Sequence, residues 1–330
     1  MKIGIIGAGG WGTALSSVLA DNGFHPLIWA YEKATADDIN INRTNSVFLP
    51  GVMLDSSIRA TNSLSELESC DILILSTPTQ NIRSVAMTMP HLFKGKKIIN
   101  VAKGIEIGTM YRISQILEEV CDIDSCHYAV LTGPSHAEEV ARKLPTTVVV
   151  ASESSLFAQE IQSALNNSYF RVYTSNDVIG CEMGGALKNV IAVAAGIVDG
   201  AGFGDNTKAA LITRGLAEMT RLGVAAGAMQ NTFFGLSGIG DLFVTCASKL
   251  SRNRQVGENI GKGMTLPEIF KNMKMVAEGV HTTQSAFELS KKHNVEMPIV
   301  EQMHKILFED FTPQEAMKEL MGRKSKSEWL

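Results

Sequence analysis

The stretch KIGIIGAGGWGTALSSVLADNG at residues 2–23 restricts the fold more than any other. A short apolar run of β type leads into Gly7-x-Gly9-x-x-Gly12, and a helix-like run follows. In a strand–turn–helix unit, Gly7 permits the tight turn, Gly9 lets backbone approach a pyrophosphate, and Gly12 allows close packing of helix on strand. The phosphates would rest on the helix N-terminus. A glycine-rich turn with no ligand satisfies the same spacing, but strand, turn and helix in this order favour a dinucleotide site. The glycines at 4, 7, 9, 10 and 12 also argue against a secretory signal, because they would break the helix of its apolar region.

Beyond this unit the first half alternates β-type runs with helical stretches. HPLIWA, DILILS, KIINVA, HYAVLT, TTVVVAS and YFRVYT read as strands, several apolar throughout, as in a mostly parallel sheet covered by helices on both faces. From about residue 177 the spacing turns helical, through GCEMGGALKNVIAVAAGIVDG, NTKAALITRGLAEMTRLGVAAG and PIVEQMHKILFE. We therefore expect an α/β fold of two packed domains, residues 1–178 binding a dinucleotide and residues 179–330 forming an all-α substrate domain. At 330 residues the length suits two cores. The polar tail GRKSKSEWL is expected to fray.

Thirty basic and 34 acidic residues give a formal net charge of −4, so no electrostatic footprint for nucleic acid or an anionic membrane exists. An anionic ligand must then be caught by a local site. Five cysteines without C-x-x-C spacing fit a reducing cytoplasm, not a disulfide framework or a zinc site. The histidines show no ligand spacing, no metal site is expected, and neither a hydrolase elbow nor a Walker loop occurs. The apolar run around Lys188 reads as shorter than the roughly 20 residues of a membrane span, so no membrane insertion is expected.

That run poses its own problem. From Met183 to Val198 the only polar side chains are Lys188 and Asn189. A buried ammonium is costly unless it is paired, solvated in a cleft, or brought down in pKa. Gly184, Gly185 and Ala192 at helical spacing leave room beside the amine for another backbone or a ligand. A lysine snorkelling to an edge is the plain alternative. Downstream, Ser251 is a plausible N-cap for a helix ending near Gly261, which brings Arg252 to the first free amides, an arrangement suited to phosphate. Gly133 and Ser135 in VLTGPSHAEEVA, and Lys103 in NVAKGIE, follow strands and would line the same sheet edge as the glycine loop. Glu32 lies twenty residues after Gly12, where an acid bonds the ribose hydroxyls of NAD; Lys33 or Arg43 could offset it toward NADP.

Taken together, GAGGWGTALS, NSVFLPGV, AKGIE, GPSHAEEVA, GGALKNVIAVAAGIVDGAGFGDNTKAALITRGLAEM, GLSGIGDLFVTC, SRNRQVG and VAEGV closely resemble the bacterial NAD(P)-dependent sn-glycerol-3-phosphate dehydrogenases, in family order from residue 3 to about 300. The resemblance implies a Rossmann-type N-terminal domain and hydride exchange between nicotinamide and dihydroxyacetone phosphate or glycerol 3-phosphate, for glycerophospholipid synthesis. It implies Lys188 as general acid and base, Asp241 as its partner, and Lys103, Asn189 and Thr245 in contact with substrate. Ser251, Arg252 and Asn253 would hold the phosphate, with Gly133 and Ser135 opposite. Gly7, Gly9, Gly10, Trp11, Gly12, Tyr31, Glu32, Lys103, Ala137, Arg252, Val276 and Glu278 are the implied cofactor contacts, and a homodimer is the implied assembly. Three positions depart from the pattern: Gly10 where Ser is frequent, STPTQ in place of VPS, and Tyr31 where Arg is frequent. Two other readings keep the architecture, a 6-phosphogluconate or 3-hydroxyacid type dehydrogenase and a dinucleotide sensor without catalysis.

Overall fold

The computed structural model describes residues 1–330 except 272, 274, 275, 326, 329 and 330. Eight strands form one sheet: β1 (Ile3–Ile6), β2 (Leu27–Trp29), β3 (Arg59–Thr61), β4 (Ile72–Leu75), β5 (Lys97–Asn100), β6 (Tyr128–Thr132), β7 (Thr146–Ala151) and β8 (Phe170–Ser175). Their order is β3-β2-β1-β4-β5-β6-β7-β8, every pair parallel except β6 with β7. The IGII and ILIL runs of β1 and β4 are buried at every residue because helices cover both faces of the sheet. All the parallel strands from β1 to β6 therefore end at one edge, and the order reverses beside β1. Ligands of open α/β sheets bind at such a switch point.

Seven strands match the apolar runs; β3 does not show in the sequence, because Arg59-Ala60-Thr61 is a sheet-edge strand with no apolar run. Asn40 fixes it, donating Nδ2 to the Ala60 carbonyl and accepting the Ala60 N–H. Between β6 and β7 the chain forms only the short helix Ala137–Ala141. It thus returns along the sheet instead of crossing it, and the pair is antiparallel.

The helices that build the site are α1 (Gly10–Asp21), α2 (Thr79–Thr88), α3 (Val178–Gly200), α4 (Asp205–Ala225), α5 (Asp241–Ala247), α6 (Arg252–Gly261), α7 (Glu278–Lys292) and α8 (Pro298–Phe308). α3 is buried from Gly180 to Val198 and is the axis of the helical half. Here the length argument from sequence needs correction: 23 residues are enough to cross a membrane by length and composition. What accounts for its apolar character is that 94% of its most apolar window is buried inside the fold. α6 packs on α3 with backbones touching, since a Cβ at Gly257 would lie 1.9 Å from the Val193 carbonyl oxygen and one at Gly196 2.0 Å from that of Arg254. Glu182 bolts α3 to the sheet, accepting from Arg112 Nη1 at 2.6 Å, from Ser114 N and Oγ, and from the Tyr128 hydroxyl at 2.6 Å.

Candidate active site

At the end of β1, Gly7 has φ +117°, and a Cβ there would meet the Ser76 carbonyl at 2.8 Å. The turn and the close approach of β4 both require glycine. Gly12 lies behind the loop against the Gly7 carbonyl. Gly9 is the N-cap of α1, makes no side-chain cap, and has open space where a Cβ would stand; the first turn of α1 holds no acid. The amides of α1 therefore face a cradle shaped for an anion. Asn45 holds this loop, its Nδ2 donating to the Ala8 carbonyl and to Thr13 Oγ1, both at 2.8 Å. The departure at Gly10 also has a physical reason: a Cβ there would come within 2.7 Å of the Phe48 carbonyl oxygen.

Lys188 projects from the middle of α3 and is only 6% exposed. Its Nζ donates to Asp241 Oδ1 at 2.7 Å and to Thr245 Oγ1 at 2.6 Å, while the Thr245 hydroxyl donates to the Asp241 carbonyl. Two of three ammonium protons are thus committed, and the third is left for the cleft that Lys188 lines. The glycines beside the lysine make this possible. A Cβ at Gly184 would lie 2.5 Å from the Ser237 carbonyl oxygen, so the turn leading to Asp241 can press against α3. Gly185 faces the Lys103 side chain.

Asp241 has a second cation. Lys103 Nζ donates to its Oδ2 at 2.6 Å and to the Gly133 carbonyl at 3.0 Å. Burial pushes the Lys188 ammonium down to about 8; Asp241 opposes the shift and Lys103 adds to it. Burial of Asp241 acts to raise its pKa, but Lys103 and Lys188 outweigh it and hold the carboxyl below its ordinary value. An amine near neutrality, held by a permanent carboxylate, can give and take a proton.

Next to Lys188 on α3 and on the same cleft, Asn189 donates to the Lys103 carbonyl and accepts from Asn253 Nδ2 at 2.9 Å. Ser251 caps α6 as its spacing suggests, its hydroxyl accepting the Arg254 N–H at 3.2 Å. Arg252 stands exposed beside it and donates to the Val276 carbonyl at 3.3 Å. Ser135 donates to the Gly133 carbonyl at 2.8 Å.

One cleft of about 460 Å³, the size of a small-molecule site, joins these groups. Gly7, Gly9, Gly10, Trp11, Tyr31 and Glu32 line one part of it. Lys103, Ser135, Ala137, Lys188, Asn189 and Thr245 line another, with Ser251, Arg252, Asn253, Val276 and Glu278 completing the wall. Gly12, Gly133 and Asp241 are not on the wall but support it from behind. Trp11 Nε1, Thr77 Oγ1 and His136 Nε2 are buried on this wall without a hydrogen-bond partner. Together with the open cradle at Gly9, these fit a bound dinucleotide.

Sequence reasoning passed over His136, and it could not supply the partners of Glu278 and Lys103. His136 sits in the GPSHAEEVA motif, but single histidines carry no spacing signal; burial, then the Lys188 charge, lower its pKa. Glu278 Oε1 accepts the Thr79 N–H at 2.8 Å, joining α7 to the start of α2, and burial raises its pKa to about 7. The pairing of Lys103 with Asp241 links residues too distant in the chain for any motif to show.

Two family models match the chain: NAD-dependent glycerol-3-phosphate dehydrogenase N-terminus over residues 2–158, and the C-terminus of the same family over residues 177–318. A glycerol-3-phosphate dehydrogenase [NAD(P)+] from Citrifermentans bemidjiense is 50% identical, covering 99% of this chain and 98% of its own. A crystal structure of glycerol-3-phosphate dehydrogenase from Coxiella burnetii superposes with a TM-score of 0.93 at 38% identity, over 98% of this chain and 99% of that one. D-mandelate dehydrogenase, with a TM-score of 0.60 at 12% identity over 94% of this chain and 98% of that one, shares the fold alone.

Proposed function

This chain belongs to the NAD-dependent glycerol-3-phosphate dehydrogenase family, and we propose that Lys188 is the group that moves the proton in its reaction. The enzyme is an NAD(P)-dependent oxidoreductase interconverting dihydroxyacetone phosphate and sn-glycerol 3-phosphate. Bound nicotinamide supplies or takes the hydride at the substrate's central carbon. The observation that carries the assignment is the buried Lys188, wired to Asp241 and Thr245 on the wall of the cleft.

In reduction the Lys188 ammonium donates its free proton to the oxygen that becomes the hydroxyl; in oxidation the amine accepts that proton. Asp241 orients the amine and keeps it charged enough to donate. Lys103 shares Asp241, which tempers that carboxylate's pull on Lys188, and its remaining N–H is available to the substrate. Asn189, held by the Lys103 carbonyl and Asn253, offers a fixed amide beside the reacting carbon. Ser251, Arg252, Asn253 and the first amides of α6 take the phosphate, with Ser135 on the opposite wall. Gly7, Gly9 and Gly10 would seat the pyrophosphate, with Gly12 letting α1 pack against the loop behind them. Trp11, Ala137, Val276 and Glu278 border the rest of the cofactor.

The chain divides at 178/179, supported by the change from sheet to helices between Ser175 and Val178. A homodimer, a cytoplasmic location and supply of a glycerophospholipid precursor rest on the family alone. The test is oxidation of reduced cofactor with dihydroxyacetone phosphate and with unphosphorylated dihydroxyacetone. Turnover confined to the phosphate ester is expected. Equal turnover of both would remove the phosphate site, and none of either would remove the reaction.

A further inference from the structure

The end of the cleft at β2 has the means to choose between the two forms of the cofactor. After Trp29 the chain presents Tyr31 and Glu32 on the cleft wall, both exposed. Their backbone is fixed: Trp29 Nε1 donates to the Asn62 carbonyl at 3.3 Å, and Asn62 Nδ2 donates to the Tyr31 carbonyl at 3.2 Å. The Tyr31 ring stands edge-on to Trp29, with centroids 6.2 Å apart. Glu32 starts the short helix Lys33–Asp37, and its carboxylate makes no capping bond there. It is left to face the cleft.

The basic side chains that could offset it are engaged. Lys33 Nζ binds both oxygens of Asp37, at 2.9 and 2.6 Å. Arg43 Nη1 donates to the Ile58 carbonyl at 3.1 Å, and its charge acts on Asp55. Among the described residues, the lysines and arginines on the cleft wall are Lys103, Lys188 and Arg252, and none belongs to the β2 end. The first two share Asp241, and the third bonds the Val276 carbonyl.

A ribose with free hydroxyls donates hydrogen bonds to a carboxylate, whereas a 2′-phosphate brings about two negative charges that need cations. We infer that this chain selects NADH over NADPH, with Glu32 as the residue that discriminates and neutral Tyr31 offering no compensating charge. The inference rests on the reading of the cleft as a dinucleotide site and narrows it to one cofactor.

Titration of the full-length protein with NADH and with NADPH, in the absence of substrate and followed by nicotinamide fluorescence, tests it directly. NADH is expected to bind at least about tenfold more tightly, a difference of about 1.4 kcal/mol. Glu32→Gln is expected to shrink the ratio by strengthening NADPH, and Tyr31→Arg combined with Glu32→Ser to invert it. Equal dissociation constants in the wild type would overturn the inference. So would a ratio unmoved by Glu32→Gln, or a several-fold loss of NADPH binding in Lys33→Ala, which would show that lysine reaching the phosphate. Binding of neither nucleotide would overturn the cleft assignment as well, whereas tight, discriminating binding without turnover of dihydroxyacetone phosphate would support the inference and contradict only the assigned reaction.

Discussion

Asp241 and Glu218 are both carboxylates sealed inside the helical half, 1% and 2% exposed, and they meet the cost of burial in opposite ways. Glu218, on α4, accepts the Ile299 N–H at 2.9 Å and the Val300 N–H at 3.3 Å, so it caps the first turn of α8. Among the described residues its hydrogen-bond partners are backbone N–H groups alone, and burial raises its pKa to about 7. Asp241 has two ammonium groups in contact and stays below its ordinary value. Amides suffice to start a helix but leave the carboxyl half protonated near neutrality. Full charges hold the carboxylate ionised, and that permanent charge keeps the lysine beside it an ammonium, while burial and Lys103 loosen its proton. The difference separates a structural acid from one that serves chemistry.

The contrast is tested hardest at Lys188. Replacing it with Ala is expected to lower turnover by about 10²–10⁴-fold while leaving NADH titration unchanged, since the lysine meets the proton and not the dinucleotide. Steady-state rates and a fluorescence titration on one preparation check both halves. Asp241→Ala leaves Lys188 and Lys103 facing each other in the interior without their counter-ion. A loss of about 3–5 kcal/mol in urea unfolding is expected, with activity lost as well.

Glu218 sharpens the comparison through pH. Its folded pKa of about 7 lies above the ordinary 4.5, so the folded state holds the extra proton between those values. Its contribution is complete below pH 4.5 and declines as pH rises to 7, by about 3 kcal/mol at 1.36 kcal/mol per pH unit. In Glu218→Gln, urea midpoints at pH 5 and pH 8 are expected to lose that part of their difference, with kcat unchanged. The smallest effect belongs to the phosphate end, where Ser251→Ala removes an N-cap worth about 1 kcal/mol; thermal unfolding reads that loss, and KM for the phosphorylated substrate is expected to rise with it.

What the sequence made legible was local. The buried strands announce themselves as apolar runs, the glycine loop by spacing, the Ser251 cap by residue type, and Lys188 by its isolation in an apolar helix. Pairings across the fold left no local trace. Glu218 in GLAEM looks like an ordinary helix acid, and only the arrival of α8 turns it into a cap. Glu182 sits just outside the apolar run, and its ties to Arg112, Ser114 and Tyr128 exist only once β6 lies under α3. Asp241 follows a glycine-rich turn whose value depends on Gly184 letting it reach Lys188. Lys103 could be placed at the sheet edge from sequence, yet its carboxylate partner could not, because a single residue pair from distant segments has no period or motif.

The pH dependence of kcat/KM for reduction of dihydroxyacetone phosphate, taken from pH 7 to 10 above the substrate's own phosphate ionisation, tests the central claim most directly. With Lys188 brought down to about 8, the rate should hold below that pH and fall tenfold per unit above it, while oxidation of glycerol 3-phosphate rises over the same range and then levels. A reduction rate that stays flat to pH 10, or a bend that persists in the residual activity of Lys188→Ala, would contradict the account.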